Sequence, residues 1–263
     1  MACSASEIHP TWLQQTYRGR EQAQAQAQAD QAIQASQLTD ANPWLCMTQW
    51  ADYLQGIQAH DLLACVAALE EDPMDATEQG VQVIWDTIEQ VACKSQQTVQ
   101  HCSQAIRVEA VRSEKGQTPH QPLLAYIDEA AIQKHMQPWQ QILAFIARTQ
   151  APHDWASPRY GMTTWQRSKW RQLWQLASQR VGSPDPNPQG SQATVPGDLE
   201  AWAMTAIEKA CLEFCIKLIN QRHYSHKYES VLVCAMAMLG QGKAGWRDPK
   251  SYPLILSCVI KVA

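Results

Sequence analysis

Apolar residues recur along this chain at three- and four-residue spacing, which predicts amphipathic helices and almost no strand. The first strong pattern starts at Asn42. Thr39, Asp40 and Asn42 offer N-cap oxygens, Pro43 suits a first helical turn, and Trp44, Met47, Trp50 or Ala51, Leu54 and Ile57 form one stripe. This helix is expected to run to about Glu70, with Glu71–Pro73 as a break where Glu70, Glu71, Asp72 and Asp75 favour the next helix N-terminus. A second pattern joins Val81, Ile84 or Trp85, Ile88 and Val91 or Ala92. The β-branched run Ile106–Val111 fits a short strand or continued helix equally, and Gly116–Pro122 reads as a turn.

A third helix is expected over Leu123–Ala147, interrupted or kinked at Pro138. Ala151–Gly161 is a loop, after which Thr163 or Thr164 can cap a helix through Gln179. Gly182–Gly197 holds four prolines and three glycines, too little apolar surface to offset ordering entropy, and is read as a disordered linker. Beyond it, Asp198 is expected to cap a helix whose face carries Leu199, Trp202, Ala206, Ile207, Ala210, Cys211, Phe214, Cys215 and Leu218. Tyr228–Leu239 repeats that style until Gly240 and Gly242 stop it, and Leu254–Val262 is a last apolar run. The predicted fold is therefore all-α, an irregular helical bundle. The expected divisions are a Gln-Ala-rich arm over 1–41, a helical domain over 42–181, the linker, and a partial helical unit over 198–263 that looks cut off from a larger one.

Net charge changes the picture by exclusion. At -4, with a pI near 6.1, the chain has no global field for a polyanion, so nucleic-acid contact requires a local patch. No run is long and apolar enough for a membrane span, and Met1–Tyr17 lacks the pattern of a signal peptide. An intracellular chain without membrane contact is expected. Nine scattered cysteines predict reduced, mostly buried thiols. The 11 tryptophans, against 2 phenylalanines, fit either a Trp-rich core or arginine codons decayed by C-to-T change, which yields both Trp and Cys.

Two sets of residues carry candidate chemistry. Cys211 and Cys215, one helical turn apart, with His223 and His226 downstream, supply the donor types of a zinc site. Only seven residues separate Cys215 from His223, however, where a finger needs about twelve. Core packing is the competing reading for both thiols. The polyanion candidate is Trp155–Val181, which carries Arg159, Arg167, Lys169, Arg171 and Arg180 without an acid, interleaved with Tyr160, Trp165, Trp170 and Trp174. Guanidinium groups neutralise phosphates and indoles stack on bases. Against this, Trp170, Leu173, Trp174 and Ala177 share one stripe, which suits a core with a merely solvated basic face. Phosphate-loop, dinucleotide, nucleophile-elbow and zinc-protease motifs are absent, so no catalytic residue and no cofactor are assigned.

The Asn42–Ile57 segment, with Tyr228–Trp246 and the following Arg247, Asp248 and Pro249, resembles a region of long fungal open reading frames in the telomere-linked RecQ-type helicase group and related transposon-like proteins. The likeness covers most of residues 40–263. There the region follows a Cys/His finger and lies upstream of the helicase motor; here Met1–Asp40 supplies only Cys3 and His9, and no motor is present. Where the resemblance leads to arginine, this chain has Cys46, Cys93, Trp165 and Cys258, in line with codon decay. It implies a degenerate, truncated copy, nuclear and DNA-associated if like intact relatives. Such a product is a non-enzymatic accessory or interaction fragment, with DNA or another protein of the same element as partner.

Overall fold

The computed structural model describes residues 48–69, 73–112, 121–125, 129–181, 203–220, 230–242 and 245–246. About 71% of these are helical, so the chain is all-α. Contacts divide it into two units, Met1–Leu62 with Trp155–Pro158, and Leu63–Asp154 with Arg159–Ala263. The expected arm over 1–41 and the helix start around Asn42 lie outside the described residues.

In the first unit the long helix expected up to Glu70 is broken. A single turn, α1 (Trp50–Tyr53), ends at Leu54, and α2 (Ala59–Cys65), whose residues from Leu63 on belong to the second unit, starts after Gly56, whose φ of 80° puts the backbone where glycine alone fits at little cost. The apolar stripe survives the break, because Trp50, Ala51, Leu54 and Ile57 are all buried.

The second unit is built around α3 (Ala76–His101). Asp75 starts it by accepting hydrogen bonds from the Thr77 and Glu78 backbone N–H groups at 2.9 and 3.2 Å. Ser103 caps α4 (Gln104–Ala110), so the β-branched run from Ile106 is helix and not strand. Next comes α5 (Glu129–Gln150), which continues through Pro138, where an interruption or a kink was expected, so the helix is not interrupted there. Met136, Trp139, Ile142 and Leu143 beside it are fully buried. At about 1.5–3 kcal/mol each, their burial outweighs the roughly 3 kcal/mol that an interior proline costs.

Thr163 and Gln166 exchange side-chain-to-backbone bonds at the start of α6 (Thr164–Val181). A reciprocal box between Thr205 and Glu208 starts α7 (Ala206–Ile219), so this helix begins well after the predicted cap Asp198, which lies outside the described residues. Ser230 precedes α8 (Val231–Leu239), which stops at Gly240 as expected. A two-residue antiparallel ladder follows, with β1 (Gln241–Gly242) paired to β2 (Gly245–Trp246) in the register Gln241 to Trp246 and Gly242 to Gly245.

Central α3 packs on α5, α6 and α7, α7 also packs on α6, and α8 packs on α5. Gly80 lets α6 approach closely, since a Cβ there would lie 2.9 Å from the Trp174 ring. Helix α7 belongs to the same contact unit as α3, α5 and α6. The physical reason is the apolar face Ile207, Ala210, Cys211, Phe214, Cys215 and Leu218, all buried, for which α3 and α6 provide the other side.

One polar contact fastens α7 to α3. Lys94 donates to Glu208 at 2.6 Å and to the Ala203 carbonyl at 3.1 Å. Burial pushes the Glu208 carboxyl up, but Lys94 and the Thr205 backbone N–H outweigh it and hold the group below its ordinary range. A carboxyl lowered on folding contributes stability that is full above its unfolded pKa, about 4.3, and is lost as pH falls through the lower folded value. Lys94→Met is therefore expected to unfold at lower urea than the parent at pH 7. The gap should start to narrow as pH drops below about 4.3 and close once it has passed the lower folded value, where Glu208 is neutral and needs no cation. A gap unchanged between pH 7 and pH 3 in urea titrations would refute this coupling.

Candidate nucleic-acid interface

Helix α6 carries four basic residues, Arg167, Lys169, Arg171 and Arg180, and no acidic one. Its buried face is Gln166, Trp170, Leu173 and Ala177. Trp170 stacks on Trp174 with ring centroids 5.8 Å apart and meets Phe214 of α7 at 5.3 Å, so these two indoles serve the interior, as the competing core reading anticipates. Tyr160 is also occupied. It packs on Phe145 at 5.5 Å and shares hydrogen bonds with Thr149 and Gln150, and burial holds its phenol above the ordinary value. Trp165 differs from all of them, being 71% exposed.

The five predicted basic residues do not act as one patch. Arg167 and Arg171, one turn apart and exposed, come together. Both line a groove of about 360 Å³ that Thr77, Gln150, Trp170 and Trp174 help to form, and both line a shallower hollow along Ser168 and Gln172. Arg167 donates to the Met162 carbonyl at 3.3 Å. Among the described residues no carboxylate lies within ion-pair distance of either guanidinium. Lys169 is on the opposite shoulder, bonded to Glu213. Arg180 ends the helix near Asp86, whose carboxyl is pushed up by burial and then by Glu89 and drawn partly back by Arg180. Arg159 lies in the loop before α6 and is exposed.

Two cations were missed in the sequence. Lys209 and Lys217 flank Glu213 on α7, and Lys217 Nζ sits 6.0 Å from the Trp165 ring centroid. The hydrogen bond from Lys169 chiefly, with the charges of Lys169, Lys209 and Lys217, holds the Glu213 carboxyl below its ordinary range. One carboxylate thus faces three ammonium groups. Their signal was the four-residue spacing of Lys209, Glu213 and Lys217, which places them on one helical face.

Of the zinc candidate, the structure describes the two cysteines. Cys211 and Cys215 are buried in the face of α7, where the hydrogen bond between them and burial push the Cys215 thiol well up. These two thiols therefore pack the interior. His223 and His226 lie outside the described residues. No group of three or more His, Cys, Asp or Glu side chains with metal-binding geometry occurs among the described residues. Nor, among them, is any helix long and apolar enough to cross a membrane. Comparison with protein-family models, curated proteins and solved structures finds no match to this chain.

Proposed function

We propose that this chain is a non-catalytic helical interaction module that contacts nucleic-acid phosphates through the exposed face of α6. The observation that carries it is the convergence of Arg167 and Arg171, unopposed by any described carboxylate, on one groove of a chain whose net charge is -4. Against that background the patch is a local concentration of cations, the form of electrostatic footprint that binds a polyanion. Contrast Arg148 of α5, whose guanidinium is consumed by Glu78. The resemblance to the telomere-linked helicase-like, transposon-like reading frames supplies the setting. There the module is a degenerate accessory segment, nuclear, acting on DNA or beside another protein of the same element.

A salt titration tests it. Labelled single-stranded and duplex DNA should bind at low ionic strength, with the logarithm of affinity falling linearly in the logarithm of salt, by about 0.7 to 0.9 per phosphate neutralised. Arg167→Ala/Arg171→Ala should flatten that slope by about 1.4 to 1.8, two contacts' worth, without changing the thermal unfolding midpoint. Absence of binding at low salt, or an unaltered slope in the double variant, would remove the proposal.

A further inference from the structure

We infer that Trp165 is a stacking platform for an unpaired base, which makes the α6 face select single-stranded over duplex nucleic acid; this rests on the phosphate-binding reading above. Four observations converge on it. Trp165 is 71% exposed in the first turn of a well-packed helix whose other indoles, Trp170 and Trp174, are engaged in the interior. Large aromatics are costly to leave in water, and this one lies outside the buried core of the described residues. Lys217 Nζ stands over one face of the ring, 6.0 Å from its centroid and at the outer reach of cation–π attraction, so a base would stack on the opposite face. The surrounding charge is positive, since Lys169, Lys209 and Lys217 face the single carboxylate Glu213.

Placement on the helix completes the case. At 3.6 residues per turn, Trp165 and Lys169 occupy one shoulder of the exposed face and Arg167 and Arg171 the other. A strand crossing α6 meets the guanidinium pair on one side and an indole among lysines on the other. A duplex presents the same phosphates, yet its bases are stacked on each other and cannot reach the ring. The indole therefore adds affinity for an open strand alone, in a sequence-tolerant way, because every base has a flat face.

The test compares three ligands by fluorescence anisotropy at one low salt concentration: a thymidine oligonucleotide of about 12 nucleotides, within the usual range of such sites, an abasic strand of equal length, and a duplex. The parent protein should prefer the thymidine strand to the abasic one by about 5- to 150-fold, the usual span for one stacked base. Trp165→Ala should lose that preference while binding the abasic strand and the duplex as before, and its unfolding midpoint should not move. Trp165→Arg should bind all three more tightly, through added charge, still without preference. A preference that persists in Trp165→Ala, or is missing in the parent, overturns the stacking role while leaving phosphate binding intact. If no ligand binds even at low salt, both fall together.

Discussion

Arg148→Ala is expected to cost up to about 3–5 kcal/mol of unfolding free energy, far more than a typical surface change, because it would strand a partly buried carboxylate. The Arg148 and Glu78 side chains are only 13% and 17% exposed. Their contact is a fork, with Nε to Oε1 at 2.7 Å and Nη2 to Oε2 at 2.8 Å. The third nitrogen, Nη1, donates to the carbonyls of Ala64, Cys65 and Ala67 at 2.9 to 3.1 Å, closing the C-terminal end of α2. One side chain of α5 thus satisfies the first turn of α3 and the last carbonyls of α2. Lysine has no planar fork, so Arg148→Lys should recover only part of the loss. Pairing Arg148→Met with Glu78→Leu should be milder than the sum of the single changes, since no orphan charge remains. Urea unfolding measures all of these. A loss below about 1 kcal/mol for Arg148→Ala, the scale of a solvent-exposed pair, would show that the fork carries little weight.

Phe214→Ala is expected to cost a similar amount, about 3–5 kcal/mol, and to weaken the whole second unit at once. Phe214 has no exposed surface. Its ring meets Trp170, Trp170 stacks on Trp174, and the tip of Trp174 lies where a Cβ on Gly80 would reach it at 2.9 Å. That chain of rings runs from α7 through α6 to α3. Truncating its first member leaves a cavity next to both partners, so amide protection in α3 should fall together with protection in α7. Hydrogen exchange separates this outcome from the alternative. If amides of α7 alone exchanged faster while Val81–Val91 kept their protection, α7 would be an appendage and the unit would not share one core.

Local rules were legible in the residues themselves. Helical spacing alone gives an all-α chain, and the caps at Asp75 and Thr163 follow from which oxygens can reach the first free N–H groups. Each depends on atoms within four residues of one another, which the order of residues dictates. The candidate interface was half legible: Arg167 and Arg171 share a face by spacing, as do Lys209, Glu213 and Lys217, whereas the pairing of Lys169 with Glu213 and the approach of Lys217 to Trp165 require α7 to lie beside α6. Helical spacing already set Trp170 and Trp174 on a core stripe apart from Trp165; packing adds the Phe214 ring that Trp170 meets and leaves Trp165 in water.

Long-range partners belong to the tertiary structure for the same reason. Arg148 and Glu78 are 70 residues apart, and Lys94 and Glu208 are 114 apart. No period along the chain distinguishes those carboxylates from the others. Helix α1 stops short because Gly56 turns left-handed, while α5 runs through Pro138 because the buried surface around it outweighs one lost hydrogen bond. The sequence by itself determined that the chain is helical and which residues make up the apolar stripes. Only the fold decided where those faces meet, because burial and ion pairing depend on distance in space, and neighbours in space are far apart in the chain.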